Sequence, residues 1–320
     1  MRHERGVRPL MTAATVALAV FLAVLTAGCP GQEDRIIRQI RTEPTIKVDT
    51  KTGPKSMKLE EYILGVVAGE IKPGWPLEAY KAQAILARSY ALYVLTADGT
   101  RPPESGSITA AHQEAQAYAP QNITGIVRKA VDETRGTVIT YQGKFPQAYF
   151  HSASGGWTTT AVNGGLVEPG KEPPYLKVVQ SPEDEVAPPE IKSWTATFPA
   201  SQVTAALARL GVTARTIQGL DIGKKDPHGR AITLTVRHDG RTSEVSAPKF
   251  RVALGPDKMR SALLTKITAS GGSVIMAGRG FGHGVGMSQY GACQMAKHGS
   301  KADAIIKHYF SGVEVKKLWK

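Results

Sequence analysis

The chain has 320 residues, of which 42% are hydrophobic and 21% charged; this composition excludes a disordered protein and allows one large domain or two small ones. Its formal net charge of +13 at pH 7 suits an anionic polymer or an anionic lipid as a partner. With only two cysteines, a disulfide framework is excluded.

The first 28 residues have the organisation of an export signal. The basic segment MRHERGVRP precedes the apolar run LMTAATVALAVFLAVLTAG, which ends in small residues before Cys29. LTAGC resembles the lipobox of bacterial lipoproteins, so we predict cleavage before Cys29 and a diacylglycerol on its thiol. A plain secretory signal is the alternative. The signal contains three arginines and one glutamate, so its removal lowers the net charge from +13 to +11.

Export makes nucleic acid an unexpected partner and leaves Cys293 as the one thiol of the exported chain if Cys29 is acylated. We expect Cys293 to be a small buried residue. The polar segment at 29–55 is predicted to be a flexible linker, and the folded domain is predicted over 56–320.

Two helices are predicted at the start of that domain. In KLEEYILGVVAGEI the apolar residues recur at the i, i+3, i+4 spacing of a helix face, which predicts a helix over 58–71. After the breaker KPGW, the Ala-rich run PLEAYKAQAILARSYALYVL predicts a helix over 76–95. A turn this short predicts that the two helices pack together. Glu60 and Glu61 lie at the positive end of the first helix and can face water.

Glu70 continues the apolar row of the first helix. A carboxylate in low-dielectric surroundings either pairs with a cation or has a raised pKa and holds its proton, which makes it a general acid. The alternative is that the helix frays after Gly69 and Glu70 turns outward. Arg88, inside AILARSYAL, must either reach solvent along its stem or meet a carboxylate, and Glu70 is one such partner.

The remaining elements predict an α+β fold in a single large mixed domain, with two lobes around a cleft. ITGIVRKAVDET is predicted to be a helix, and GTVITYQGKFPQAYF a hairpin that turns at Gln142-Gly143. The Pro-rich stretch 172–190 is expected to be a long surface connection. A second α+β lobe is predicted at about 190–270, including a hairpin that turns at Asp239-Gly240.

FHSASGGW, at 150–157, places His151 at a strand end beside small hydrogen-bonding residues. Its glycines let the backbone approach a ligand, and its hydroxyls and bare amides can donate to sugar hydroxyls or carboxylates. The alternative is a structural histidine with satisfied hydrogen bonds. Ser152 and Ser154 lack the strand-elbow-helix signature of a nucleophile.

RGFGHGVGMSQYGA, at 279–292, has a glycine at every second position around His283. It lacks the Lys-Ser/Thr of a P-loop and the glycine spacing of a dinucleotide site. The pattern indicates a backbone kept bare so that a polymer, or another part of the protein, can lie against it.

These three motifs, in this order and at these separations, resemble the stage II sporulation protein D family (SpoIID/LytB domain) over roughly residues 56–316. The resemblance implies an envelope protein that acts on peptidoglycan. Some members are lytic transglycosylases that cut glycan strands stripped of stem peptides, and others enhance an amidase. In the catalytic members the acid is the Glu that stands here as Glu70. Some members hold zinc through His and Cys, but Ser152 stands where such a Cys can follow the His; we predict no metal and no cofactor.

The resulting prediction is a membrane-anchored lipoprotein of the cell envelope, facing the periplasm or the exterior, with Glu70 as acid and base on glycan strands. The substrate-binding residues predicted with it are Arg88, His151, Ser152, Ser154, His283, Gln289 and Tyr290. One carboxylate suits a transglycosylase, whereas ordinary glycosidases use two. The alternatives are a glycan-binding module that activates a cell-wall amidase, and a metal-dependent amidase with His151 and His283 as ligands.

Overall fold

A computed structural model describes residues 35–50, 53–97, 101–109, 116–270 and 272–320 of the chain. The predicted signal peptide and the predicted lipidation site Cys29 lie outside these ranges. The expected α+β class is confirmed, because short helices and several small sheets alternate along the described chain. No α-helix within these ranges combines the length and apolar composition that a membrane crossing requires.

The helices and strands are labelled in chain order. The α-helices within the described ranges are α1 (Arg35–Gln39), α2 (Leu59–Glu70), α3 (Leu77–Thr96), α4 (Gly125–Glu133), α5 (Pro189–Lys192), α6 (Ala200–Arg209), α7 (Ala247–Leu254), α8 (Gln289–Lys297) and α9 (Ala302–Tyr309). The strands are β1 (Thr45–Thr50), β2 (Gly53–Lys58), β3 (Ser107–Thr109), β4 (Thr137–Thr140), β5 (Phe150–His151), β6 (Trp194–Pro199), β7 (Ile217–Ile222), β8 (Thr233–His238), β9 (Arg241–Ser246), β10 (Leu264–Ser270), β11 (Ser273–Gly278), β12 (Met287–Ser288) and β13 (Glu314–Lys317).

The segment predicted as a linker is largely ordered from residue 35. β1 pairs antiparallel with β2 and parallel with β3. The reason is the alternation in TIKVDT, which points Ile46 and Val48 into the core while the residues between them stay exposed. The linker prediction is therefore wrong for this part, and the folded domain begins before residue 56.

The predicted helical pair is confirmed as α2 and α3. The apolar stripe of α2 is fully buried against α3, α4 and β1, and α3 is buried along most of its length. α3 also packs against α8 and α9, so one helix contacts both the N-terminal and the C-terminal parts of the described chain. This position makes α3 the central element of the fold.

A buried ion pair joins α2 to α3. Glu60 accepts from Arg88 Nη2 at 2.7 Å and from Arg88 Nε at 3.1 Å, and the guanidinium has 0% exposure. Glu60 also accepts from the Gly136 amide at 2.9 Å, and Arg88 Nη1 donates to the carbonyl of Thr137 at 2.7 Å. The expectation that Glu60 faces water is thus wrong, because this network satisfies its carboxylate in the interior.

Both predicted hairpin turns are present, but the strand that precedes one of them pairs with a different strand from the one predicted. Asp239 and Gly240 both have positive φ and join β8 to β9, as in a type I′ turn. At Gln142-Gly143 the chain also turns with positive φ, yet β4 pairs with β13 rather than with the segment that follows the turn. The predicted second hairpin strand over most of 145–150 is therefore wrong.

The predicted second lobe has an apolar core of its own. β6, β11 and β10 form one antiparallel sheet, and β7, β8 and β9 form another. α6 and α7 cover them, and the buried residues between these elements, such as Phe198, Leu234 and Phe250, form one cluster. After β11 the chain leaves this lobe and enters the glycine-rich motif, which is followed by β12 and α8.

The Glu60–Arg88 pair generates a stability prediction. Arg88→Met leaves the Glu60 carboxylate buried without its guanidinium, so the free energy of unfolding should fall by about 3–5 kcal/mol. Urea unfolding at pH 7 measures this loss. Asp303→Asn is the matched control, because it removes a half-exposed pair with Lys307 and should change stability little. Equal losses in the two variants would contradict the assignment.

Candidate functional site

A short parallel strand pair brings the two glycine-containing motifs together. β5 carries His151 and β12 carries Ser288, which are paired residues in the register. Beyond the pair, the Tyr290 amide donates to the Ser152 carbonyl at 3.0 Å, and Ala153 forms an antiparallel bridge with Phe281. The two motifs therefore build one structure.

The glycine-rich motif is kept bare for contacts with the protein itself. A Cβ on Gly286 would lie 2.1 Å from the Tyr149 carbonyl oxygen, and one on Gly280 would lie 2.7 Å from that of Ala153. Both glycines have positive φ, which favours glycine independently of the space. Of the two readings of this motif, close packing against the protein explains these positions.

Glu183 is a buried carboxylate at the centre of this structure, with 3% exposure. Five donors hold it. They are the backbone N–H groups of Ser154, Gly155 and Gly156 and the hydroxyls of Ser181 and Ser288. The bare amides of FHSASGGW thus bind a carboxylate, as their chemistry suggests, but the carboxylate belongs to the protein rather than to a ligand.

Sequence reasoning missed Glu183 and placed its segment in a surface connection over 172–190. That expectation is wrong at Ser181 and Glu183, which are both buried. Three acidic residues occur in SPEDE, and no periodicity distinguishes the buried one. The available signal was the run of small residues in HSASGG, which indicates an anion site without naming the anion.

His151 and Ser154 form a buried hydrogen-bonded pair. His151 Nδ1 contacts the Val285 carbonyl at 3.0 Å, so it carries the proton, and Nε2 accepts from the Ser154 hydroxyl at 2.8 Å. Neither side chain has surface for a ligand. The prediction that His151 and Ser154 bind substrate directly is therefore wrong, and both support the loop that carries Ser152.

His283 is partly exposed and lies against His151, with ring centroids 5.4 Å apart. Its Nδ1 accepts from the Val285 amide at 3.1 Å. Burial, followed by the positive charge of Arg251, lowers the pKa of His283 to about 3. Burial, followed by His283 and Arg230, lowers the pKa of His151 well below its usual value. Both imidazoles are consequently neutral at pH 7.

Glu70 is the last residue of α2 and is partly exposed. Its Oε1 accepts from the Ala117 backbone amide at 2.7 Å, and its Oε2 accepts from Gln289 Nε2 at 2.9 Å. The same Gln289 nitrogen lies 3.4 Å from Oε1 of the fully buried Gln83 on α3. The carboxylate thus joins the helical pair to the first residue of α8, directly after the paired motifs.

Of the other predicted site residues, Ser152 has exposed surface, whereas Tyr290 and Arg88 are buried. Ser152 is partly exposed, and its carbonyl is held by the amide next to Gln289. Tyr290 is almost fully buried, and its ring lies 4.9 Å from that of Trp75 and 5.5 Å from Lys72 Nζ. Arg88 pairs with Glu60 instead of Glu70 and has no exposed surface. The predictions that Arg88 orients Glu70 or contacts substrate are therefore wrong.

The described residues give no support to a metal-hydrolase site. Within the described ranges, no group of three or more His, Cys, Asp or Glu side chains is placed to hold a metal ion. Both ring nitrogens of His151 are already hydrogen-bonded within the protein. The chemistry that the site can offer is proton transfer at one carboxyl group beside a side-chain amide.

Two family profiles match this chain. The one described as "Stage II sporulation protein" matches residues 49–141, which include Glu70. The one described as "Domain of unknown function (DUF8618)" matches residues 171–286, which include Glu183 and His283. The FHSASGGW motif lies between the two matched segments.

Three relatives show how far the similarity extends. Stage II sporulation protein D of Bacillus amyloliquefaciens is 32% identical, over 85% of this chain and 81% of its own length. Stage II sporulation protein D of Bacillus subtilis strain 168 is 30% identical, over 82% of this chain and 75% of its own length. A protein named Amidase enhancer, also of Bacillus subtilis strain 168, is 26% identical over 78% of this chain but only 39% of its own length.

The two neutral histidines generate a prediction about pH. Because the pKa of His283 is about 3 when folded and 6.5 ordinarily, the unfolded chain binds one more proton than the folded chain between these values. This part of the stability is complete above pH 6.5 and is lost as the pH falls towards 3, by about 1.4 kcal/mol per pH unit. Urea unfolding from pH 7 to pH 4.5 should show at least this slope, because His151 also has a lowered pKa and adds to it, and His283→Gln should reduce it. NMR provides a direct check, and a His283 imidazole that titrates near pH 6.5 would contradict the assignment.

Proposed function

Because this chain belongs to the stage II sporulation protein D family, we propose that it acts on peptidoglycan in the cell envelope, as a lytic transglycosylase whose acid and base is Glu70. The family predicted from the three motifs is thereby confirmed. The specific reaction is our proposal, and the observation that carries it is the position of Glu70. This carboxyl group is partly exposed where α2 meets the paired motifs, and side chains of two other helices stand behind it.

One carboxyl group is sufficient for this reaction. Glu70 donates its proton to the glycosidic oxygen as the bond from that oxygen to the muramyl C1 breaks. The oxygen of the muramyl C6 hydroxyl then bonds to C1, and its proton passes to Glu70. The products are a shortened strand and a 1,6-anhydromuramyl end, no water is consumed, and Glu70 ends the cycle protonated as it began.

Gln289 is suited to support both protonation states of Glu70. Its Nε2 donates to the carboxylate in the present arrangement, and rotation of the amide by half a turn would present its Oε1 to a protonated carboxyl group. Gln83 lies behind Gln289 and can rotate in the same way, since its own Nε2 has no hydrogen-bond partner among the described residues. A backbone donor, Ala117, holds the other oxygen in place.

The remaining contacts to the glycan are proposed on exposure and position. Ser152 offers a partly exposed hydroxyl two residues along the motif from Phe150, and His283 offers a neutral, partly exposed ring. Tyr290 contributes to the wall of the site through its ring contact with Trp75, in which the ring planes are inclined by 56°. The residues beneath this surface are buried and support it through their hydrogen bonds; they are His151, Ser154 and Glu183.

We propose further that a lipid on Cys29 anchors the protein to a membrane of the envelope, as the LTAGC segment suggests. The high positive charge suits a surface rich in anionic polymer or lipid. Mass spectrometry of the mature chain tests this part, and a free N-terminal thiol or an uncleaved signal would contradict it.

A second function is favoured by one of the comparisons. The relative named Amidase enhancer covers most of this chain, so a non-catalytic module that binds glycan and activates a cell-wall amidase is the alternative. It predicts binding to sacculi and a faster amidase reaction without any glycan product. The two functions therefore differ in the products released by the purified protein alone.

The transglycosylase proposal predicts that Glu70→Gln abolishes product release. The amide cannot donate a proton to the glycosidic oxygen, so release of anhydromuramyl products from denuded strands should fall by at least about 10³-fold, at the upper part of the range for general acid–base catalysis. Mass spectrometry of the soluble products measures the loss. Glu61→Gln is the matched control, because Glu61 is an exposed carboxylate on the same helix.

Gln289→Ala belongs to the same experiment and should give an intermediate rate, since it removes a partner of Glu70 but leaves the acid. Sacculus binding should persist in all three variants. Products that survive Glu70→Gln at the wild-type rate would end the proposal. A wild-type protein that binds sacculi, releases no product and accelerates an amidase would establish the alternative.

A further inference from the structure

Trp157, at the end of FHSASGGW, stands outside the apolar cores. It is 39% exposed, whereas Trp194 and Trp319 are buried and Trp75 is partly buried against Tyr290. An exposed indole is a large apolar surface left in water, and such surfaces are informative where a structure holds them in place. The backbone of Trp157 forms an antiparallel bridge with Gln180, so the exposed side chain is carried by a fixed segment.

The indole is held flat by a second ring. The imidazole of His228 stacks on it with centroids 4.0 Å apart and planes inclined by 5°. The backbone of His228 is fixed in turn, because Asp226 accepts from the His228 and Arg230 amides at 2.9 Å and from the Thr159 hydroxyl at 2.8 Å. The stack covers one side of the indole and fixes its orientation, so a ligand would not have to order this side chain on binding.

Cationic side chains lie at Gly155, two residues before Trp157. Arg279 is exposed and donates to the Gly155 carbonyl, two residues from Trp157. A cavity of about 220 Å³ is lined there by Gly155, Asp184, Lys192 and Arg279, among others. Leu263 links the two features, because its methyl groups approach both Gly155 and Gly229, the neighbour of His228. This part of the molecule thus presents an aromatic face and two cations, together with two acids, of which Glu183 is already held by donors of the protein itself.

This combination matches the chemistry of an anionic glycan. The C–H face of a pyranose ring is apolar and packs on an indole, while the hydroxyl edge stays in water. The carboxylate that muramic acid carries suits a guanidinium or an ammonium group. An uncharged sugar polymer would use the indole alone.

We propose that Trp157 and Arg279 form a second glycan-binding subsite, which holds a saccharide unit of the anionic strand at a distance from Glu70. This inference rests on the proposed function for the identity of the strand. Ser152 lies next to Gln289 and Glu70, and the five residues to Trp157 span at most about 18 Å. One strand of several sugar units can therefore reach from the carboxyl group to the stacked rings.

The test measures binding in the Glu70→Gln background, so that strands are not cut. Denuded glycan strands and chitohexaose, an uncharged oligosaccharide of similar backbone, are the two probes. Adding Trp157→Ala should weaken binding of both probes at least about 10-fold. Adding Arg279→Gln should weaken binding of the strands but not of chitohexaose. Val252→Ala, which trims another exposed apolar side chain on α7, is the matched control and should change neither.

Quenching of tryptophan fluorescence by acrylamide keeps the proposal testable if Trp157→Ala does not fold. Saturating glycan should protect the exposed indole in the protein that retains Trp157. Unchanged quenching at saturation would overturn the subsite, as would equal binding by the Trp157→Ala and parent proteins or no binding by the parent. If binding depends on Trp157 but the wild-type protein releases no anhydromuramyl product, the transglycosylase proposal fails and the subsite stands.

Discussion

The candidate site depends on one buried carboxylate that takes no part in the proposed chemistry. Removing an ionised carboxyl group from water costs several kcal/mol, and Glu183 offsets this through three backbone amides and two hydroxyls. One of those hydroxyls, from Ser288, also accepts from the Gly291 amide and so caps the first turn of α8. Gln289 is the next residue. The anion site inside the protein thereby fixes where α8 begins and where the amide that holds Glu70 is placed.

This arrangement separates the residues that give the motifs their pattern from those that can meet a substrate. The small residues of FHSASGGW and the alternate glycines of the third motif serve a tightly packed support, in which His151, Ser154 and Glu183 are almost fully buried. Arg230 extends the support by donating to the Ser154 carbonyl at 2.7 Å from a buried position, where burial lowers its pKa to about 10. Side chains with exposed surface occur where the support reaches solvent, at Ser152 and Trp157, whereas Gln289 is itself buried and contacts the partly exposed Glu70.

The sequence predicts this molecule best where the signal is local. The apolar spacing of α2 and α3, the Asp239-Gly240 turn and the class of the fold follow from residues close together in the chain. The same spacing also predicts that Glu70 lies at the end of the apolar stripe of α2. The pairing of Glu60 with Arg88 does not, because both an exposed and a buried glutamate are acceptable at a helix start, and only the tertiary contact with Gly136 and Thr137 decides between them. Glu183 lies in a segment without periodicity. The alternation in β1 is short and lies among polar residues, which by themselves predict a linker.

The contact between Glu70 and Gln289 also has a consequence for biogenesis. The two residues are 219 positions apart, so the bond closes one of the longest loops in the chain. A polypeptide is synthesised from its N-terminus, so α2 is available early and α8 only near the end. The surroundings of the Glu70 carboxyl group are therefore incomplete through most of synthesis and are completed only when the C-terminal part of the chain is available to fold onto α2.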